Sequence, residues 1–114
     1  VQNREQFWKM LTFYKENKAT VCALGASTKG NVTLQTWEVT PNDISVIGDV
    51  NPDKDGSYTP GTWIPIASEE KVMEQDYDVY IVLPWHFKEF FVKNPKFKGK
   101  RLLFPLPTPE VVIP

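Results

Sequence analysis

The chain is short of the residues that build reactive or cross-linked centres. One cysteine and one histidine occur in 114 residues. A lone cysteine closes no internal disulfide, and the pair falls short of the ligand set of a Cys/His zinc site. Glycine is sparse, at six residues, and neither a G-x-G-x-x-G run nor a GK[ST] ending is present. Charge of one sign is also lacking, with 13 basic against 14 acidic side chains and a net charge of −1. No general attraction to nucleic acid or to an anionic membrane is therefore expected. No apolar run is long enough to span a bilayer and no signal peptide is read, so the default expectation is a cytoplasmic setting. The chain starts at Val1 rather than at a methionine, which suggests a piece of something longer. What remains, 41% hydrophobic and 24% charged, fits a single small globular domain over residues 1–114.

The organising stretch is Thr20 to Asn31. Val21 to Leu24 is a continuous apolar run with a β-branched start, the pattern of a strand buried on both faces. Gly25, Ala26, Lys29, Gly30 and Asn31 follow where the chain must leave a sheet and enter a helix. Gly25 can adopt a backbone conformation closed to other residues, and Gly30 leaves room for a ligand or another backbone. Helix N-terminal amides attract anions, and Lys29 adds a full positive charge beside them. An ordinary Gly-bearing turn with an exposed lysine accounts for the same residues.

Around this stretch the elements alternate. Residues 4–17 carry Phe7, Leu11 and Tyr14 at helical spacing, with Trp8 beside them. Val32 to Trp37 predicts a short helix with Asn31 as its N-cap, Leu34 and Trp37 facing the sheet. Ile44 to Val50 predicts a second strand. Trp63 to Ile66 predicts a short extended piece that Pro65 marks as an edge. Ser68 caps a helix with Glu69 and Glu70 in its first turn. Tyr77 to Leu83 predicts a third strand, and Phe87, Phe90 and Phe91 the buried face of the helix after it, which Asn94-Pro95 ends. Leu102 to Phe104 and Val111 to Ile113 predict short final strands within a proline-rich, extended tail. Cys22 falls inside the first strand and reads as a core thiol. The alternation predicts an α/β domain, a mostly parallel sheet flanked by helices, with the second, first, third and fourth strands in that spatial order.

Ligands of such sheets bind beyond the carboxyl ends of the strands, where strand order reverses. The loops meeting there supply Lys29, Asn31, Asp49, Asn51, Lys54, Tyr58, Trp85 and His86, a set suited to a phosphorylated, hydroxyl-rich ligand. Asp49 lies about as far past the first glycine as the ribose-binding carboxylate of dinucleotide folds, roughly 20 residues. An aspartate opening the turn before Pro52 explains it equally well. His86 stands at the strand end as a general base or as an ordinary solvent-facing histidine. No serine or cysteine nucleophile accompanies it. Residues 51–62 form a long polar loop whose Pro60 and Gly61 argue for a fixed shape.

Taken in order, Gly25-Ala26-Ser27-Thr28-Lys29-Gly30-Asn31, Asp49, Asn51-Pro52, Lys54, Tyr58-Thr59-Pro60-Gly61-Thr62, Ile64-Pro65-Ile66 and Leu83-Pro84-Trp85 resemble one family. It is the C-terminal domain of the S-adenosylmethionine-dependent nucleotide-sugar C-methyltransferases. The resemblance runs from about Thr20 to Pro107. It implies a Rossmann-like C-terminal domain that helps hold a nucleoside-diphosphate keto-sugar through the loop residues above. It further implies that zinc, S-adenosylmethionine and the catalytic base belong to N-terminal portions absent from this chain, so that no catalytic residue or cofactor falls here. Trp63 stands where a histidine is common in the family, and His86 where an asparagine is common. Two other readings remain open, a stand-alone nucleotide-binding module and a non-catalytic scaffold domain.

Overall fold

A computed structural model describes residues 2–114. Helix α1 spans Gln2–Glu16. Phe7 and Leu11, one helical turn apart, are both fully buried, and such side chains contribute roughly 1.5–3 kcal/mol each on leaving water. The polar face of α1 is tied down as well. Trp8 Nε1 donates to the Trp37 carbonyl at 2.9 Å, and Lys15 pairs with Asp43.

Strand β1, Val21–Leu24, is buried at every position. Burial pushes the Cys22 thiol well above its ordinary value, as expected of a core cysteine. Helix α2 runs over Thr28–Thr36 with Ser27 as its N-cap. It thus begins four residues earlier than the predicted Val32 start, and Asn31 is not the cap. The Ser27 hydroxyl accepts the Gly30 amide at 3.1 Å, which places Lys29 and Gly30 inside the first turn. Leu34 and Trp37 are buried against the sheet as expected.

The later strands are shorter than their apolar runs. β2 is Ile47–Asp49, β3 is Ile66–Ser68 and β4 is Val79–Val82. Ile44 and Leu83 fall outside the ladders yet are buried by the core. The 51–62 loop contains one 3-10 turn, Pro52–Lys54. The extended piece at Trp63–Ile66 contributes only its end to a strand; Tyr58 and Pro65 form an isolated antiparallel bridge there. Helix α3 is Glu69–Glu74, capped by the Ser68 side chain at the Lys71 amide.

After β4 a 3-10 turn, Trp85–Phe87, precedes helix α4, Lys88–Lys93. Only Phe91 of the three phenylalanines is buried; Phe87 is 63% and Phe90 62% exposed. The predicted buried face fails because α4 has six residues, too few to carry an apolar stripe, and Phe87 precedes it. Strands β5, Leu102–Phe104, and β6, Glu110–Val112, complete the sheet.

The sheet order is β3-β2-β1-β4-β5-β6, parallel throughout except that β6 runs antiparallel to β5. Read as strand numbers this is 3-2-1-4-5-6, the order of doubly wound dinucleotide-type sheets. Two cores flank it. One joins α1, α2 and Ile64 to Ala23, Ile47 and Ile81; the other joins α3, α4 and Phe97 to Cys22, Leu24, Tyr80 and Val82. No helix among the described residues is long and apolar enough to cross a membrane.

Candidate functional site

The chain leaves β1 toward one face through α2 and leaves β4 toward the other through α4. The switch point therefore lies above β1 and β4, as the order of strands required. The two loop glycines are set by this junction. Gly25 sits at φ +79°, and a Cβ there would lie 2.6 Å from Cδ of Pro84. A Cβ on Gly30 would lie 2.5 Å from the Leu83 Cβ. Both glycines thus let the first turn of α2 lie against the exit of β4, the close approach being to protein.

Asp49 ends β2 with its side chain only 10% exposed. One carboxylate oxygen accepts the Ala26 amide at 2.7 Å, and the other accepts the Asn51 amide at 2.8 Å. Lys54 Nζ donates to the Ala26 carbonyl at 2.8 Å and stands 3.9 Å from the same carboxylate. Asp49 and Lys54 thereby clamp the β1–α2 loop, and Asn51 caps the 3-10 turn that carries Lys54.

The loop between Tyr58 and Ile64 is fastened to α2 by buried hydroxyls. Asn31 donates through Nδ2 to the Pro60 carbonyl at 3.0 Å and accepts the Thr62 hydroxyl at 2.9 Å. Thr62 in turn meets the Thr59 hydroxyl, and Thr59 Oγ1 accepts the Ile64 amide at 3.0 Å. Gly61, at φ +79°, lies so close to the Gln35 side chain that a Cβ would collide with it. Trp63 is held at φ 57°, its amide donating to the Thr59 carbonyl at 2.8 Å. Tyr58 and Trp63 remain 58% and 69% exposed, with ring centroids 6.4 Å apart.

Between this loop and the start of α2 lies a groove of about 300 Å³. Of the residues singled out in the sequence, it brings together Ala26, Asn31, Lys54, Tyr58 and Pro60. Ser27, Thr28, Ser57, Thr59 and Ile66 complete the lining. Ser27 had a signal that was missed, since a serine three residues before a helical amide is as good an N-cap as asparagine. Lys29 is exposed on the first turn of α2, outside the lining. Among the described residues no carboxylate pairs with it, and the amides of Thr28 and Lys29 find no acceptor. Trp85 and His86 are not brought to the groove. Trp85 packs on the α3–α4 core, and His86 stacks on it with centroids 4.7 Å apart.

A second concavity, about 330 Å³, opens at the amino ends of the strands near Asp76, Lys98, Lys100 and Arg101. Two of its cations are engaged, Lys100 with Asp76 at 2.5 Å and Arg101 over the Tyr14 ring at 5.8 Å. It is also at the end of the sheet where ligands of such folds do not sit. No group of three or more His, Cys, Asp or Glu side chains among the described residues is placed to hold a metal ion.

Comparison with known proteins yields a family model, the C-methyltransferase C-terminal domain, that matches residues 1–107. A curated relative, C-methyltransferase NovU from Streptomyces niveus, is 32% identical over 96 residues, covering 82% of this chain and 23% of the relative. The chain thus spans under a quarter of that relative's length.

Proposed function

Because the chain belongs to the C-methyltransferase C-terminal domain family, we propose that it is the nucleotide-sugar-holding part of an S-adenosylmethionine-dependent sugar C-methyltransferase. In this reading its ligand is a nucleoside-diphosphate keto-sugar and its protein partner is the catalytic remainder of the same enzyme, in the cytoplasm. S-adenosylmethionine and zinc belong to that remainder, and this chain alone transfers no methyl group. The carrying observation is the groove between α2 and the fastened Tyr58–Trp63 loop, with the unpaired Lys29 and the open Thr28 and Lys29 amides at its margin. A diphosphate there gains helix N-terminal amides and a point charge together. The exposed Phe87 and Phe90, which follow β4, offer apolar surface to the catalytic remainder.

Calorimetric titration with a nucleoside diphosphate tests the reading. Lys29→Ala is expected to cost about 1.5–3 kcal/mol of binding, as loss of a charge-assisted contact does, with the melting temperature almost unchanged. Unaltered affinity with lowered stability would make Lys29 a structural residue and remove the phosphate reading. Saturable micromolar binding of S-adenosylmethionine by this chain would contradict the division of labour.

A further inference from the structure

The catalytic remainder of the enzyme has a fixed point of entry into this domain. The family is one of C-terminal domains, and the chain spans 23% of its curated relative, so in the reading above the remainder precedes Gln2. Helix α1 starts at Gln2, and Asn3 donates through Nδ2 to the Pro107 carbonyl at 2.8 Å. Phe104 of β5 pairs with Glu110 of β6, which puts Pro107 in the turn beyond the carboxyl end of β5. The preceding chain therefore arrives at the carboxyl ends of the strands, on the β5–β6 side. A recess of about 620 Å³ opens there, with Gln2, Asn3, Gln6 and Thr108 in its lining.

The start of α4 is tied to the same turn. Lys88 pairs with Glu110, the first residue of β6, and its Nζ lies 5.8 Å from the centre of the Phe104 ring. Phe87 stands immediately before Lys88, and Phe90 follows within α4; both are largely exposed. Their neighbours Trp85 and Phe91 are taken up by the α3–α4 core, so these two rings are what the segment leaves uncovered. Each forgoes roughly 1.5–3 kcal/mol of burial by staying in water. Resting on the reading above, we propose that Phe87 and Phe90 are the seat of the catalytic remainder on this domain, reached from Gln2 across the β5–β6 turn. The entry point selects this occupant over a second copy, because the remainder is tethered beside the rings. A short tether gives the contact an effective concentration on the order of millimolar, so a patch too small to hold a free partner can seat a tethered one. The groove beside α2 stays open in this arrangement, since no residue of α1, α4 or the β5–β6 turn lines it.

Hydroxyl-radical footprinting of the full-length enzyme tests the seat. Phe13 is the internal reference, because it is 61% exposed in this domain and lies about three helical turns along α1 from Gln2. Phe87 and Phe90 are expected to be oxidised several-fold more slowly than Phe13; equal rates overturn the proposal. Protection that disappears on dilution, with a dimer in sedimentation, assigns the rings to a second copy and overturns it as well. Phe87→Ser combined with Phe90→Ser changes only exposed rings, and is expected to speed hydrogen exchange in the chain preceding Gln2 while β1 and β4 exchange as before. Unchanged exchange in that segment overturns the seat. Nucleoside diphosphate titration of the same enzyme separates the two readings. Lys29-dependent binding with freely oxidised rings removes the seat alone, whereas protected rings without nucleotide binding remove the ligand reading and leave the seat.

Discussion

The side chains of Asn31 and Thr62, 31 positions apart, meet through a 2.9 Å hydrogen bond that fastens the long loop to the first turns of α2. Asn31 spends its other polar atom on the Pro60 carbonyl, so one side chain holds both flanks of the Pro60-Gly61 turn. Behind it, Thr59 and Thr62 are buried, at 3% and 6% exposure. Two hydroxyls there are tolerable only because each has a partner.

From this, Asn31→Ala is expected to destabilise the chain by about 1–3 kcal/mol, the range for leaving a buried hydroxyl and a carbonyl short of partners. The local signature is sharper than the global one. Hydrogen exchange should accelerate at the Trp63 and Ile64 amides, which rest on Thr59, ahead of any amide in β1 or β4. Uniform acceleration across the sheet would mean that the loop is not an independently fastened unit.

A second pair acts at the opposite end of the sheet. Asp78 accepts the Thr20 amide at 2.8 Å and the Thr20 hydroxyl at 3.1 Å, joining the entrances of β4 and β1. The amide bond first, then the hydroxyl, and last the Arg101 charge hold its carboxyl below the usual aspartate value. A carboxyl with a lower pKa folded than unfolded adds stability that is present above the unfolded value, about 4, and is lost as pH falls through the folded one. Urea midpoints should therefore drop as pH falls below about 4. Asp78→Asn should lower the midpoint at pH 7 and flatten the drop. Parallel curves for the two proteins would show that Asp78 carries none of the acid sensitivity.

The sheet was readable in advance because β1 and β4 are buried on both faces, and Val21–Leu24 and Val79–Val82 stand as unbroken apolar runs that need no tertiary knowledge. The start of α2 was not. Ser27 and Asn31 are nearly equal as caps in isolation, and the choice is made by Gly30, which must enter the helix to lie against Leu83. Phe87 and Phe90 were misplaced for a related reason, since their spacing is helical but the helix is too short to use it. In the site, the polar loop and its rigidity could be read from Pro60 and Gly61, but the buried pairing of Thr59 with Thr62 could not. Hydroxyls of threonine read as solvent-facing until a partner across the fold, here Asn31, is known. Trp85 and His86 follow a strand at the ligand end, yet the packing of the Trp85 ring on the α3–α4 core takes both away from the groove.

Asp49 is where a ligand role and a structural role separate most cleanly. The distance from Gly25 favoured a ribose-binding carboxylate as much as a turn residue, and in the fold both oxygens accept backbone amides, from Ala26 and from Asn51. Asp49→Asn keeps the shape of the side chain but turns one acceptor into a donor facing a backbone N–H. Without any ligand present, that change is expected to cost about 1–3 kcal/mol, the price of a donor left unpaired in a partly buried site. The lost charge also removes the neighbour that keeps Lys54 near the Ala26 carbonyl. Chemical denaturation of the ligand-free variant measures the cost, and amide shifts confined to Ala26, Asn51 and Lys54 locate it. If Asp49 serves chiefly to bind ribose, Asp49→Asn will leave the ligand-free stability and those amides unchanged and lower only the affinity for nucleoside diphosphates. If it clamps the loop, stability falls first, and the affinity follows because the wall of the groove at Ala26 has moved.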